Sequence, residues 1–136
     1  MVCLYCSSTT KVTNSRPQKR ANQVWRRRQC TQCKAIVSTI EYIELTTAIS
    51  VASNSKPLKA FDSFKLQVSI YSSLKHRKSA SMDAQELFAT ILKLITAQSS
   101  NGSIKKEQIA NITYQVLSRF DNAAATHYKA FHATSN

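Results

Sequence analysis

Four cysteines in two pairs constrain this chain more than anything else in it. Cys3-Leu-Tyr-Cys6 and Cys30-Thr-Gln-Cys33 are C-x-x-C pairs, with residues 7 to 29 between them. A C-x-x-C knuckle lets two thiolates converge from one tight turn. Two knuckles on separate hairpins complete a tetrahedron of soft ligands, which zinc takes at about 2.3 Å from each sulfur. The surrounding segment needs such a staple, because large aliphatics are sparse before residue 45 and frequent after it. A piece that small buries too little apolar surface to cover its chain entropy. Metal binding then becomes folding free energy, on the order of 10 kcal/mol in small zinc modules. A rubredoxin-like iron site uses the same ligands and spacing, so the residues point to a metal more firmly than to which metal. A thioredoxin-like redox pair is disfavoured, since there are two pairs and no βαβ pattern surrounds either. Four thiolates also leave no open position for water, which makes the metal structural and not catalytic.

The 136 residues fit one ordinary domain or two small ones, and 43% hydrophobic residues suffice for a packed core. Nineteen Lys and Arg against seven Asp and Glu give a net charge of +12, which favours a polyanionic partner. Three arginines stand together before the second knuckle, in Gln23-Val24-Trp25-Arg26-Arg27-Arg28-Gln29-Cys30, and Arg16, Lys19 and Arg20 lie on the preceding arm. In a strand, Arg26 and Arg28 point one way and Arg27 the other, so a rigid hairpin can lay Arg26 and Arg28 along phosphates. Trp25 either stacks on a base or covers the small metal core, and the core role is the favoured one. The start Met-Val-Cys-Leu-Tyr-Cys has no basic segment followed by an apolar one, and no apolar run approaches the roughly 20 residues that span a bilayer. The expectation is a reducing cytoplasm without membrane association.

Strand composition covers residues 35–43. A hairpin is expected from Ala48–Ala52, a polar break at Ser53–Pro57 and Leu58–Ala60. From Asp62 the pattern is helical. Asp62 caps a helix with Phe64, Val68 and Tyr71 on one side and Leu66, Ile70 and Leu74 on another, as if it were sandwiched between neighbours. Ser81 opens a second helix with a buried stripe of Leu87, Phe88, Ile91, Leu92 and Ile95, ended by the loop from Ser99 to Gly102, the only glycine. A third helix begins near Ser103 and Lys106 and carries Ile109, Ile112, Val116 and Phe120. Asp121 caps a short last one through Ala123–Ala125.

In this order the residues resemble the NrdR family, the bacterial repressors of ribonucleotide reductase genes. Cys3-x-x-Cys6, Thr10-Lys11-Val12-x-Asn14-Ser15-Arg16, Arg26-Arg27-Arg28-Gln29-Cys30-x-x-Cys33 and Ser38-Thr39-Ile40-Glu41 are similar to that family's zinc ribbon. Phe61-Asp62-x-x-Lys65-Leu66 resembles the segment opening its ATP-cone, Leu74-Lys75-His76-Arg77 a helix end, and Phe120-Asp121-x-x-Ala124 through Tyr128 the closing helix. The resemblance implies an α+β fold: a four-cysteine zinc ribbon over residues 1–45, then a mostly helical ATP-cone-like domain over 46–136 that opens with a short β-hairpin. It also implies Zn2+ on Cys3, Cys6, Cys30 and Cys33, and double-stranded DNA operator boxes contacted by Arg16, Arg26, Arg27 and Arg28. ATP or dATP would be the regulatory ligands near Val51, Lys65 and Tyr128, acting through a homo-oligomer. This chain departs from the family's pattern at Trp25, Ser7, Lys34, Lys59, Ala60, Ala125 and His127. It also has Ala52 where the family's cone has a lysine.

Two functions follow. One is a repressor whose DNA binding answers to ATP and dATP. The other is a zinc-ribbon nucleic-acid binder whose cone has lost nucleotide sensing and serves only for oligomerisation. Catalysis has no support in the residues. His76, His127 and His132 are scattered, and no Gly-rich phosphate loop or HExxH motif is present.

Overall fold

The computed structural model describes residues 1–53 and 56–132. The chain divides into two compact units, Met1–Glu44 and Leu45–Asn136.

The first unit is a three-stranded antiparallel sheet in the order β1 (Thr10–Gln18), β2 (Gln23–Cys30), β3 (Ile36–Tyr42). A single 3-10 turn, Lys19–Ala21, joins β1 to β2. Asn22 ends it in the left-handed region at φ 49°, which asparagine tolerates better than other side chains do. The register of β2 sets Trp25 opposite Arg16 and Ile40, and Arg27 opposite Asn14 and Ser38. Between Val12 and Asn14 the β1–β2 ladder slips by one residue, a bulge at Thr13, whose hydroxyl donates to the Arg27 carbonyl at 3.2 Å. Within residues 1–44 only Cys3 and Cys30 are buried. A sheet with no apolar core beneath it must be held by something other than the hydrophobic effect.

The second unit has an apolar core. It opens with α1 (Leu45–Ala48) and a sheet of order β5 (Lys56–Ala60), β4 (Ser50–Ser53), β6 (Ser103–Lys105). β5 runs antiparallel to β4, and β6 runs parallel to it. Helices α2 (Ser63–Ser73), α3 (Ala80–Gln98), α4 (Lys106–Phe120) and α5 (Asn122–Phe131) complete the unit. Its centre is Ile70, Leu74, Ile91, Ile95 and Leu117, all fully buried, with Phe61, Ile104, Ile112 and Tyr128 around them. No helix among the described residues is long and apolar enough to cross a membrane.

The α+β arrangement is the expected one, a β-rich cysteine unit followed by a mostly helical unit that opens with paired strands. Asp62 caps α2 by accepting from the Lys65 amide at 2.8 Å, and Asp121 caps α5 by accepting from Ala124 at 3.0 Å. Several details differ. The first hairpin strand starts at Ser50, because Leu45–Ala48 is helical. Pro57 lies inside β5 and not in the break; β5 is an edge strand, where a missing amide is harmless. Asn54 and Ser55, also placed in that break, lie outside the described residues.

The Asn101–Gly102 turn leads into β6, a strand absent from the expectation, with both residues at positive φ and Ser100 and Ser103 bonded across it. A Cβ on Gly102 would stand 3.0 Å from the Ala48 carbonyl oxygen, so glycine is needed there for space as well as for conformation. Helix α2 is not sandwiched. It packs on α3 and α5 through Leu66 and Ile70, while Phe64, Val68 and Tyr71 face solvent.

Candidate metal centre and nucleic-acid interface

The two knuckles have the same local construction. In the first, the Cys3 amide donates to the Ser8 carbonyl at 2.7 Å and the Tyr5 amide approaches the Cys3 Sγ at 3.5 Å. In the second, the Gln32 amide approaches the Cys30 Sγ at 3.4 Å, and the Cys30 amide donates to Ala35 at 2.9 Å. Each knuckle closes on a left-handed residue directly after its second cysteine, Ser7 at φ 57° and Lys34 at φ 62°. In each, the first cysteine is buried and the second exposed.

The four Sγ atoms lie within 4.8 Å of one another, with Cys3 and Cys33 at 3.6 Å and Cys6 and Cys30 at 3.4 Å. All four are free thiols. A zinc tetrahedron with bonds of about 2.3 Å has edges of about 3.8 Å, so the donor set fits the ion after small adjustments.

The electrostatics point the same way. The Ser8 amide and hydroxyl, then the neighbouring thiols, lower Cys6 to about 6. Cys33 is favoured by the Ala35 amide, yet Cys6, burial and the other thiols push it up to about 12. Four sulfurs this close cannot all ionise without a cation among them. A divalent ion bound there would supply that charge and tie both knuckles together.

Beside this centre the sheet carries the arginines singled out from the sequence, and it separates them. Arg26 and Arg28 share one face, and Arg16 and Arg27 share the other. Arg26 forms an ion pair with Glu41 at 3.1 Å, while its Nε is buried without a partner. Arg28 donates from Nε to the Thr39 hydroxyl at 3.2 Å. Both therefore brace β2 against β3. Trp25 lies on Arg27's face, five residues from Cys30, or roughly 16 Å along a strand. It is half-buried and does not cover the cysteines, which corrects the role favoured for it from the sequence.

A family model described as "Transcriptional repressor NrdR-like, N-terminal domain" matches residues 1–41, the span of the knuckles and all three strands but for the last residue of β3. Over 125 residues the chain is 31% identical to the transcriptional repressor NrdR of Psychrobacter sp. (strain PRwf-1), covering 91% of this chain and 80% of that protein. The chain belongs to the NrdR family. Its second unit has the ATP-cone-like architecture, with a small sheet packed on α-helices.

In this NrdR-family chain the three positions singled out for nucleotide lie on three different elements. Val51, in β4, and Tyr128, in α5, both contribute to the core, whereas Lys65 is exposed in the first turn of α2. Tyr128 stacks on His132 with ring centroids 4.2 Å apart, and burial pushes its hydroxyl up. Burial, then the positive field of Lys106 and Lys65, lowers His132, so both lysines bear on that end of α5.

Sequence reasoning missed two cations. Lys105 stands opposite Ala52 in the parallel β4–β6 pair, beside the position where a lysine is lacking. Lys11 joins the face of Arg16 and Arg27. Neither has a local signal, since one depends on a pairing across some fifty positions and the other on the bulge at Thr13.

Proposed function

We propose that this chain is a DNA-binding transcriptional repressor of ribonucleotide reductase genes. In this reading Cys3, Cys6, Cys30 and Cys33 hold Zn2+, and the sheet bearing Arg16, Arg26, Arg27 and Arg28 meets double-stranded operator boxes. The observation that carries the reading is the convergence of four sulfurs within 4.8 Å under a strand with three successive arginines. The curated relative's name, a transcriptional repressor, supports the same role. The protein is a cytoplasmic regulator, not an enzyme.

The helical unit senses ATP and dATP near Val51, Lys65 and Tyr128, with Lys105 and Lys106 adding positive charge at its edge. Homo-oligomerisation uses the exposed side of α2, where Phe64, Val68 and Tyr71 lie uncovered. A second reading is favoured by Ala52 and by the burial of Tyr128. In it, the ribbon binds DNA and the cone-like unit only assembles copies of the chain.

One titration separates the two readings. The zinc-loaded chain is bound to duplex DNA carrying a ribonucleotide reductase promoter, with ATP or dATP added in turn. Retention that rises with dATP and falls with ATP fits the sensing repressor. Retention indifferent to both leaves the second reading, and no retention under any condition removes both.

A further inference from the structure

The two faces of the ribbon sheet are chemically unlike. One carries Arg26 and Arg28, whose guanidinium groups are held by Glu41 and Thr39. The other carries Lys11, Arg16 and Arg27, all exposed and with no carboxylate among them. Residues 1–44 hold only two acidic residues: Glu41, on Arg26's face, and Glu44, beyond the end of β3.

Strict alternation would not produce this grouping, because Lys11 and Arg16 are five positions apart and would point to opposite sides of a regular strand. The extra residue at Thr13 restores the match, so that Lys11 lies opposite Gln29, Asn14 opposite Arg27 and Arg16 opposite Trp25. Thr13 fixes the bulge through its bond to the Arg27 carbonyl. Alongside, β3 presents Ile36, Ile40 and Tyr42 on the same face, more than half exposed.

We infer that DNA is engaged by the face of Lys11, Arg16 and Arg27, and that Arg26 and Arg28 are bracing residues. The inference rests on the proposed DNA-binding function and assigns its contact surface. All three cations stand on β1 and β2, adjacent strands of the three-stranded sheet, so their charges lie together on one face that a phosphate backbone can meet. Unpaired guanidinium groups are available for bidentate contacts to phosphate or guanine. The exposed apolar side chains of β3 suit sugar edges and thymine methyl groups, which are apolar surfaces that a charged groove also offers. Arg26 would have to give up Glu41 before it could serve a phosphate.

The test compares two double variants of the full zinc-loaded chain, Arg16→Gln with Arg27→Gln and Arg26→Gln with Arg28→Gln. The probe is a fluorescently labelled mixed-sequence duplex, titrated across a range of salt concentrations. Each lost phosphate contact lowers the salt slope by about one unit, so the first variant loses about two units and about tenfold or more in low-salt affinity. Its zinc content and melting temperature stay those of the parent. The second variant melts earlier and keeps the parental slope. If the first variant proves misfolded, Lys11→Gln alone decides by losing about one unit. A slope lowered only by the Arg26 and Arg28 changes, or equally by both pairs, overturns the assignment. Failure of the unmodified chain to bind the duplex overturns the DNA reading itself, whichever face is considered.

Discussion

At the scale of single residues, the metal centre was legible because its ligands are neighbours in sequence. C-x-x-C is a local spacing, and the structure had only to bring two such turns together, with Sγ atoms within 4.8 Å. The departures Ser7 and Lys34 were visible too, but their consequence was not, since it lies in the backbone angle. Ser7 sits at φ 57°, where a side chain costs roughly 1–2 kcal/mol that glycine does not incur. Glycine's greater freedom when unfolded takes back about 0.5–1 kcal/mol of that. Ser7→Gly therefore stabilises the zinc-loaded ribbon by about 0.5–1 kcal/mol, a two- to fivefold gain in resistance to a competing chelator. Titration with a chromophoric chelator reads this directly, and equal competition by the two proteins would show that the knuckle is unstrained. Lys34→Gly is a less clean comparison, because the Lys34 ammonium donates to the Thr31 carbonyl at 2.7 Å and that bond would be lost.

Elements with a period or a cap were legible, and those made by long-range pairing were not. Asp62 and Asp121 announced their helices, and the stripe of α3 holds Ile91 and Ile95 at full burial. Three-residue β6 carries no periodicity and exists only because β4 lies beside it. The charged cluster linking the helices is equally non-local. Arg77 meets Asp83 at 2.7 Å and Asp121 at 3.2 Å, His76 meets Asp121 at 3.1 Å, and Arg77 also lies over the Phe120 ring. The Ala124 amide, then His76 and Arg77, hold the Asp121 carboxyl well below the usual range, and Arg77 with Ser79 lowers Asp83. Both carboxyls titrate lower folded than unfolded, so their stabilisation is complete above the unfolded value of about 3.9 and is lost as pH falls below it. Asp121→Asn keeps a capping oxygen but removes the charge. Its melting temperature, followed by the helical far-UV signal, should lie below the parent's at neutral pH and converge with it in acid. Parallel curves for the two proteins at every pH would show that the charge contributes nothing to the folded state.

For the whole molecule, the decisive contrast is between two units stabilised by different physics. The second has an apolar core from Ile49 to Tyr128, whereas the first buries only Cys3 and Cys30 among its 44 residues. A sheet whose strands bury no side chain but that of Cys30 cannot offset its chain entropy by area alone. The uneven spread of aliphatics along the sequence foretold this difference. The split of Arg26 and Arg28 from Arg27 was legible from strand alternation, whereas the face of Lys11 stayed hidden, because one bulged residue reverses the parity of the β1 positions before it. The stability of the first unit is then the binding free energy of its metal, on the order of 10 kcal/mol or more when the ion is bound. Removing the ion with a strong chelator under reducing conditions should abolish amide protection throughout β1, β2 and β3. Amides of α3 and α4, around Ile91, Ile95 and Leu117, should keep theirs, since no part of their burial depends on sulfur. Hydrogen exchange resolved by peptide would show protection lost up to about Glu44 and kept in the helices beyond it. Protection surviving in β2 after complete metal removal would mean that the sheet is held by its own strands and that the four thiols are not its staple.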